Sequence, residues 1–244
     1  MARIALLNHA GVETEALEAI CVASSLPPGH ILLIVGDADL PDDLQGVTVA
    51  RALMSGSVYG FDAHTREPWD CGVALCERWA KRQKEYPCYF SYLLAHEFGH
   101  ATTALTHLEL TAYEDLILRH VQAVSGRTKW RWDELPHERR YDAFAMAVVD
   151  ELFGRPASEA EFESIIANGL TNDPPRLRLA LQLSASKDLS PLRTELREFA
   201  TPWKAQFIRR WEEERATHSR SVAAKIARLD ALWDVPQETD PGNN

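Results

Sequence analysis

The sequence predicts an α+β protein: a small mixed sheet ahead of a long helix, followed by an all-helical C-terminal extension. Three observations predict it. Short apolar runs bounded by Gly, Pro, Asn and Asp crowd the chain up to Cys76. Apolar spacing of three and four residues takes over from about position 89. Beyond Gly154 no strand pattern returns. The expected division is residues 1–153 for the mixed domain, 154–235 for the helical extension and 236–244 for a polar, disordered tail.

The elements follow in order. Arg3 to Asn8 reads as a strand, Val12 to Ser24 as a helix and His30 to Val35 as a second strand. The turn-rich runs Gly36-Asp37-Ala38-Asp39 and Pro41-Asp42-Asp43 come next. The carboxylate spacing in the first is too incomplete for a calcium loop, so it reads as a solvated turn. Val47 to Leu53 and Gly72 to Cys76 are further strands, separated by a Gly- and aromatic-rich loop or loose hairpin over 56–69. A helix is expected from near Tyr89, after Pro87, to Thr106. Another starts at Pro136, a residue suited to a first helical turn, and runs to Phe153 with Phe144, Val148 and Leu152 on one stripe. Helical runs then cover Glu159 to Asn168, Pro174 to Ser184 and Trp203 to Trp233. The last has an apolar stripe that includes Trp211, Val222, Ile226 and Trp233. That stripe can pack on the body of the protein or serve a protein partner or self-association.

The helix over 89–106 carries His96-Glu97-Phe98-Gly99-His100, an H-E-x-x-H pattern. Histidines four apart leave a helix from the same face, so both imidazoles can reach one metal ion. Glu97 is the candidate catalytic base, able to take a proton from water at such an ion. Leu93, Leu94, Ala95 and Ala101 flank the motif without charge, and Phe98, Ala101 and Leu105 add an apolar face beside the histidine face.

A catalytic zinc site uses three protein ligands and an open position. A metzincin-type third histidine is excluded, because Thr106 stands where it would be required and His107 is one residue out of register. His120 reads as an exposed or capping histidine. Glu138, in the first turn of the Pro136 helix, is the better third ligand. Asp142 lies one turn further on, where it can accept the free N–H of a ligand histidine and fix its tautomer. Tyr141, His137 and Tyr92 are candidate donors to an oxyanion.

H-E-F-G-H followed by E-x-x-x-D-A-F-A resembles the gluzincin branch of zincin metallopeptidases, and is most similar to the ImmA/IrrE-type family. That family pairs H-E-x-G-H with a later E-x-x-A-[ND]-x-F-A. The resemblance covers roughly residues 12 to 153. It implies His96, His100 and Glu138 as ligands of Zn2+, Glu97 as general base and Asp142 as the support behind a ligand. It also implies a zincin-like domain whose edge strand holds an extended peptide. The chain departs from the family in carrying Tyr141 for the usual alanine. Its spacing between His100 and Glu138 is also somewhat longer, at 37 residues.

Composition narrows the alternatives. A net charge of −10 argues against a nucleic-acid-binding body. The segment from Asp173 to Asp234 has 12 basic and 9 acidic residues, an excess too small to change that. Apolar runs such as Ile31 to Val35 fall far short of the ~20 residues of a membrane span. Asn8 and His9 interrupt the N-terminal apolar stretch, so no signal peptide is expected. Cys21, Cys71, Cys76 and Cys88 lack C-x-x-C spacing and read as reduced thiols, so the expected location is cytoplasmic. The expected function is a zinc metallopeptidase acting on an intracellular protein or peptide. The alternatives are a zinc-stabilised binding or scaffold module and a zinc amidase on a non-peptide bond.

Overall fold

In a computed structural model of the chain, residues 2–38, 40, 45–53, 61, 68–114, 135–171, 173–203, 205, 206 and 209 are described. The expectations at His120, over 54–60 and 62–67, over most of Trp203 to Trp233, and for the tail lie outside these residues. The class is α+β: a four-stranded mixed sheet with several helices.

Strands β1 (Arg3–Asn8), β2 (His30–Asp37), β3 (Gly46–Ala50) and β4 (Cys71–Cys76) lie in the order β1-β2-β4-β3. β1 and β4 flank β2 in parallel, and β3 pairs antiparallel with β4, Thr48 opposite Val73. β2 and β4 read as continuous apolar runs because the central strands are covered on both faces. Ile31, Leu33, Val35, Val73 and Leu75 belong to the main core. The alternate residues Leu32, Ile34 and Ala74 join Phe61 and Trp69 in a second cluster.

The main core is built by helices. α1 (Thr14–Ala23) contributes Leu17 and Ile20, and the one-turn α2 (Glu77–Ala80) contributes Trp79. α3 (Pro87–Thr106) is buried almost continuously from Cys88 to Gly99. It packs on β3 and β4 and against α5 (Pro136–Phe153). The sequence predicts a helix with an apolar face beside its histidine face. In the fold α3 is a central one, which explains why its motif has apolar neighbours all round. Residues 108–114 are also helical (α4).

The expected boundary at residue 153 does not match the division of the structure. α6 (Arg155–Ala167) and α7 (Pro174–Gln182) belong to the same compact unit as the sheet, Met1–Ala112 with Arg131–Ser190. Phe162, Ile165, Leu177 and Ala180 complete its core, and the Ser186 N–H donates to the Ala143 carbonyl at 3.0 Å. The physical reason is coverage: without these side chains α3 and α5 would present apolar surface to water. The second unit comprises Tyr113–Trp130 and Pro191–Asn244. Among its described residues is α8 (Leu192–Ala200), with Leu192, Leu196 and Ala200 buried along one stripe. That helix was not expected from the sequence.

The other expected elements form with small shifts. β2 extends through the expected turn to Asp37, which is buried rather than solvated. The expected strand from Val47 to Leu53 ends at Ala50, and Arg51–Leu53 forms a 3-10 turn. All four cysteines are free thiols. Among the described residues, no helix is long and apolar enough to cross a membrane.

Candidate metal centre

α3 is anchored at its start by a residue from another helix. Glu161 of α6 accepts from the backbone N–H groups of Tyr89 (2.7 Å) and Cys88 (3.2 Å), satisfying donors that a first helical turn leaves open. Two turns later His96 and His100 project together, with their Nε2 atoms 3.2 Å apart. Glu138 reaches them from the first turn of α5, its Oε2 3.2 Å from His96 Nε2 and its Oε1 3.7 Å from His100 Nε2. The three residues offer ligand atoms within 4.8 Å of one another and could hold a metal ion.

Glu138 and Asp142 stand one turn apart on α5, as their spacing predicts. Asp142 Oδ1 accepts from His96 Nδ1 at 2.8 Å and from the Tyr92 hydroxyl at 2.6 Å. These bonds leave His96 Nε2 for the other side of the ring. A residue that sequence reasoning did not single out completes the arrangement. Arg176 of α7 donates from Nε to Asp142 Oδ2 (3.2 Å) and from a terminal nitrogen to Asp142 Oδ1 (2.8 Å). The same nitrogen lies 3.3 Å from Glu138 Oε2 and 3.3 Å from each ring nitrogen of His96.

The electrostatics follow from burial set against these partners. Burial alone would raise the Glu138 pKa, but the hydrogen bond and charge of His96, with the charge of Arg176, outweigh it and bring it to about 2. Asp142 is likewise held well below the carboxylate range, with Arg176 and His96 overcoming burial. Burial and Arg176 push His96 down, yet its bonds to Asp142 and Glu138 prevail and lift it to about 9. For His100 burial wins: it drives the pKa to about 3 against the opposing charge of Glu138 and keeps the ring neutral.

Glu97 turns toward the sheet. The Thr48 hydroxyl of β3 lies 2.7 Å from Glu97 Oε2 and 3.0 Å from its backbone oxygen. Gly46, two residues back on the same face, leaves space for the carboxylate: a Cβ there would sit 2.7 Å from Glu97 Oε1. Burial raises the Glu97 pKa above its ordinary value, while His96 and Thr48 pull against it. The carboxylate is thus a stronger base than one in water.

The three candidate oxyanion donors occupy different places. The Tyr92 hydroxyl is spent on Asp142. The Tyr141 hydroxyl donates to Thr103 Oγ1 at 2.9 Å, and its fully buried ring lies with its centroid 4.0 Å from that of His100. Gly99 makes room for that ring, since a Cβ there would come within 2.8 Å of Tyr141 Cδ1. His137 is buried, with Nε2 3.7 Å from Glu138 Oε1 and Nδ1 without a hydrogen-bond partner among the described residues. His107 stands outside the cluster, exposed beside Glu109.

Thr48, Gly46, Glu161 and Arg176 all escaped the sequence reading. Arg176 had a faint local signal: Asp173, Pro174 and Pro175 mark a helix start, and Asp173 caps the Arg176 N–H at 3.1 Å. Nothing local says that the side chain turns inward. No family model, no curated protein and no solved structure matches this chain.

Proposed function

We propose that the protein is a zinc-dependent metallopeptidase of gluzincin type that hydrolyses a peptide bond in a protein substrate. One observation carries the reading. His96, His100 and Glu138 converge on a single point, and Glu97 of the same motif is held at the adjoining edge strand.

The donor set fits zinc. Donors about 2.0–2.1 Å from a tetrahedral ion lie about 3.3–3.4 Å apart. His96 Nε2 lies 3.2 Å from His100 Nε2 and 3.2 Å from Glu138 Oε2, and the other Glu138 oxygen, Oε1, lies 3.7 Å from His100 Nε2. Two imidazoles and a carboxylate suit a borderline cation. Charge points the same way. With His96 neutral, as a metal ligand must be, Glu97, Glu138 and Asp142 against Arg176 leave two negative charges in a buried cluster, which a divalent ion would neutralise. Zinc, when bound, supplies a Lewis acid for the scissile carbonyl and lowers the pKa of water.

The protein's own groups do the rest. Asp142 fixes the His96 ring with Nε2 presented to the site. Glu97, its proton affinity raised by burial, takes a proton from the attacking water and returns it to the leaving amine. Thr48 holds one oxygen of that carboxylate in place. His137, kept neutral by burial, stands beside Glu138 and is the remaining candidate donor to the developing oxyanion. β3 is the edge of the described sheet, so its outer backbone groups can pair with an extended peptide.

The test compares protein N-termini in cells expressing the wild-type chain or Glu97→Gln. The proposal expects N-termini that depend on the wild-type chain and vanish with the variant. Identical sets of N-termini from the two would favour a zinc-stabilised binding module over a peptidase.

A further inference from the structure

Arg176 lies 34 residues beyond Asp142 and 38 beyond Glu138, on a different helix, yet it contacts both. Its backbone is fixed. Asp173 caps the first turn of α7, Pro174 and Pro175 restrict it, and Leu177 and Ala180 anchor it in the core. The side chain is about one-fifth exposed, while those of Glu138 and Asp142 are 7% exposed. A buried carboxylate pair without a cation would be costly. That alone would make Arg176 a structural ion pair. The geometry asks more of it, because its Nε and one terminal nitrogen take both oxygens of Asp142. A lysine point charge cannot reproduce that fork.

We infer that Arg176 is a positioning residue of the metal centre, locking the Asp142 carboxylate so that it orients His96 while steadying the Glu138 ligand oxygen. Asp142 Oδ1 receives three donors: Tyr92 and His96 from α3 and Arg176 from α7. Tyr92 and His96 sit on one helix and cannot by themselves set the rotation of Asp142 on another. Arg176 approaches from a third element and takes the second oxygen, which fixes the carboxylate plane. The same terminal nitrogen, 3.3 Å from Glu138 Oε2, ties the ligand carboxylate to its neighbour.

The inference rests on the zinc reading, and the experiment separates the two. Zinc affinity is measured by chelator competition for the wild type, His96→Ala, Arg176→Lys, Arg176→Gln, Asp142→Asn and the double variant Arg176→Gln/Asp142→Asn. Each protein is also loaded with cobalt, whose visible spectrum reports ligand geometry. Arg176→Lys, which keeps the charge, should weaken zinc binding by about 10- to 100-fold and shift the cobalt spectrum. Arg176→Gln and Asp142→Asn should each do the same, and the double variant should be no weaker than the worse single, since the pair acts as one unit. Should Arg176→Gln fail to fold, Arg176→Lys decides alone. Wild-type affinity and spectrum in Arg176→Lys, or tighter zinc binding in Arg176→Gln, overturns the inference. A wild-type chain that binds no zinc, or binds it no better than His96→Ala, overturns the zinc reading instead.

Discussion

The Thr48 hydroxyl on the edge strand β3 lies 2.7 Å from Oε2 of Glu97, in the middle of α3. The two lie 49 positions apart in the sequence, so this bond depends on the docking of α3 against the sheet. Its loss should be felt at the carboxylate. Thr48→Val keeps the shape and removes the donor. It should cost about 1.5–3 kcal/mol of stability, the range for hydrogen bonds to charged groups. Chemical denaturation checks this, and a change below about 0.5 kcal/mol, the level of ordinary surface substitutions, would contradict it.

Gly99 and Tyr141 form a second close pair. A Cβ at position 99 would sit 2.8 Å from Cδ1 of a fully buried ring. Gly99→Ala should therefore destabilise by about 1–3 kcal/mol through overpacking. The ring is also packed on His100, so displacing it should weaken metal binding as well. Adding Tyr141→Ala should relieve the clash, and the two changes should show strong coupling in a double-mutant cycle. Simple additivity would show that the contact is not the cause.

Helices α6 and α7 make a fragment ending at residue 153 an informative failure. That fragment loses Phe162, Ile165, Leu177 and Ala180 from the core, the Glu161 cap on α3, and Arg176. It should show no cooperative thermal transition, whereas the full chain should. A cooperative melt in the fragment would mean that the core closes without these helices.

The chelator-treated protein should have a defined pH profile. His100 is pushed from 6.5 to about 3, so below pH 6.5 the unfolded chain takes a proton that the folded chain refuses, and stability falls. Glu138 is lowered from 4.5 to about 2, so its contribution is present above pH 4.5 and is lost as pH falls toward 2. His96 is raised from 6.5 to about 9, so its contribution is complete below 6.5 and disappears as pH rises through 9. The melting temperature should peak near pH 6.5 and decline on both sides. A flat profile between pH 4 and 9 would contradict the charge arrangement.

What the sequence reveals about this fold follows a physical rule. The motif on α3 and the Pro136 start of α5 were legible because they depend on spacing within one element. Glu138 and Asp142 were legible for the same reason, being one turn apart. Thr48, Gly46, Glu161 and Arg176 act across elements, and no period in the chain encodes which element will be near. Arg176 is the sharpest case. An arginine in the first turn of a helix reads as solvated, and only the presence of two buried carboxylates turns it inward. α8 is different, because Leu192, Leu196 and Ala200 did carry a four-residue period. It lacks the start signal that marks α7 at equal length, where Asp173 caps the first turn.

The central claim is that His96, His100 and Glu138 together hold one zinc ion. Elemental analysis of the purified protein tests it most directly, alongside His96→Ala and Glu138→Ala after equal exposure to zinc. The account predicts one zinc per chain in the wild type and a loss of most of it in each variant. Less than stoichiometric zinc in the wild type, or unchanged zinc in either variant, would contradict it.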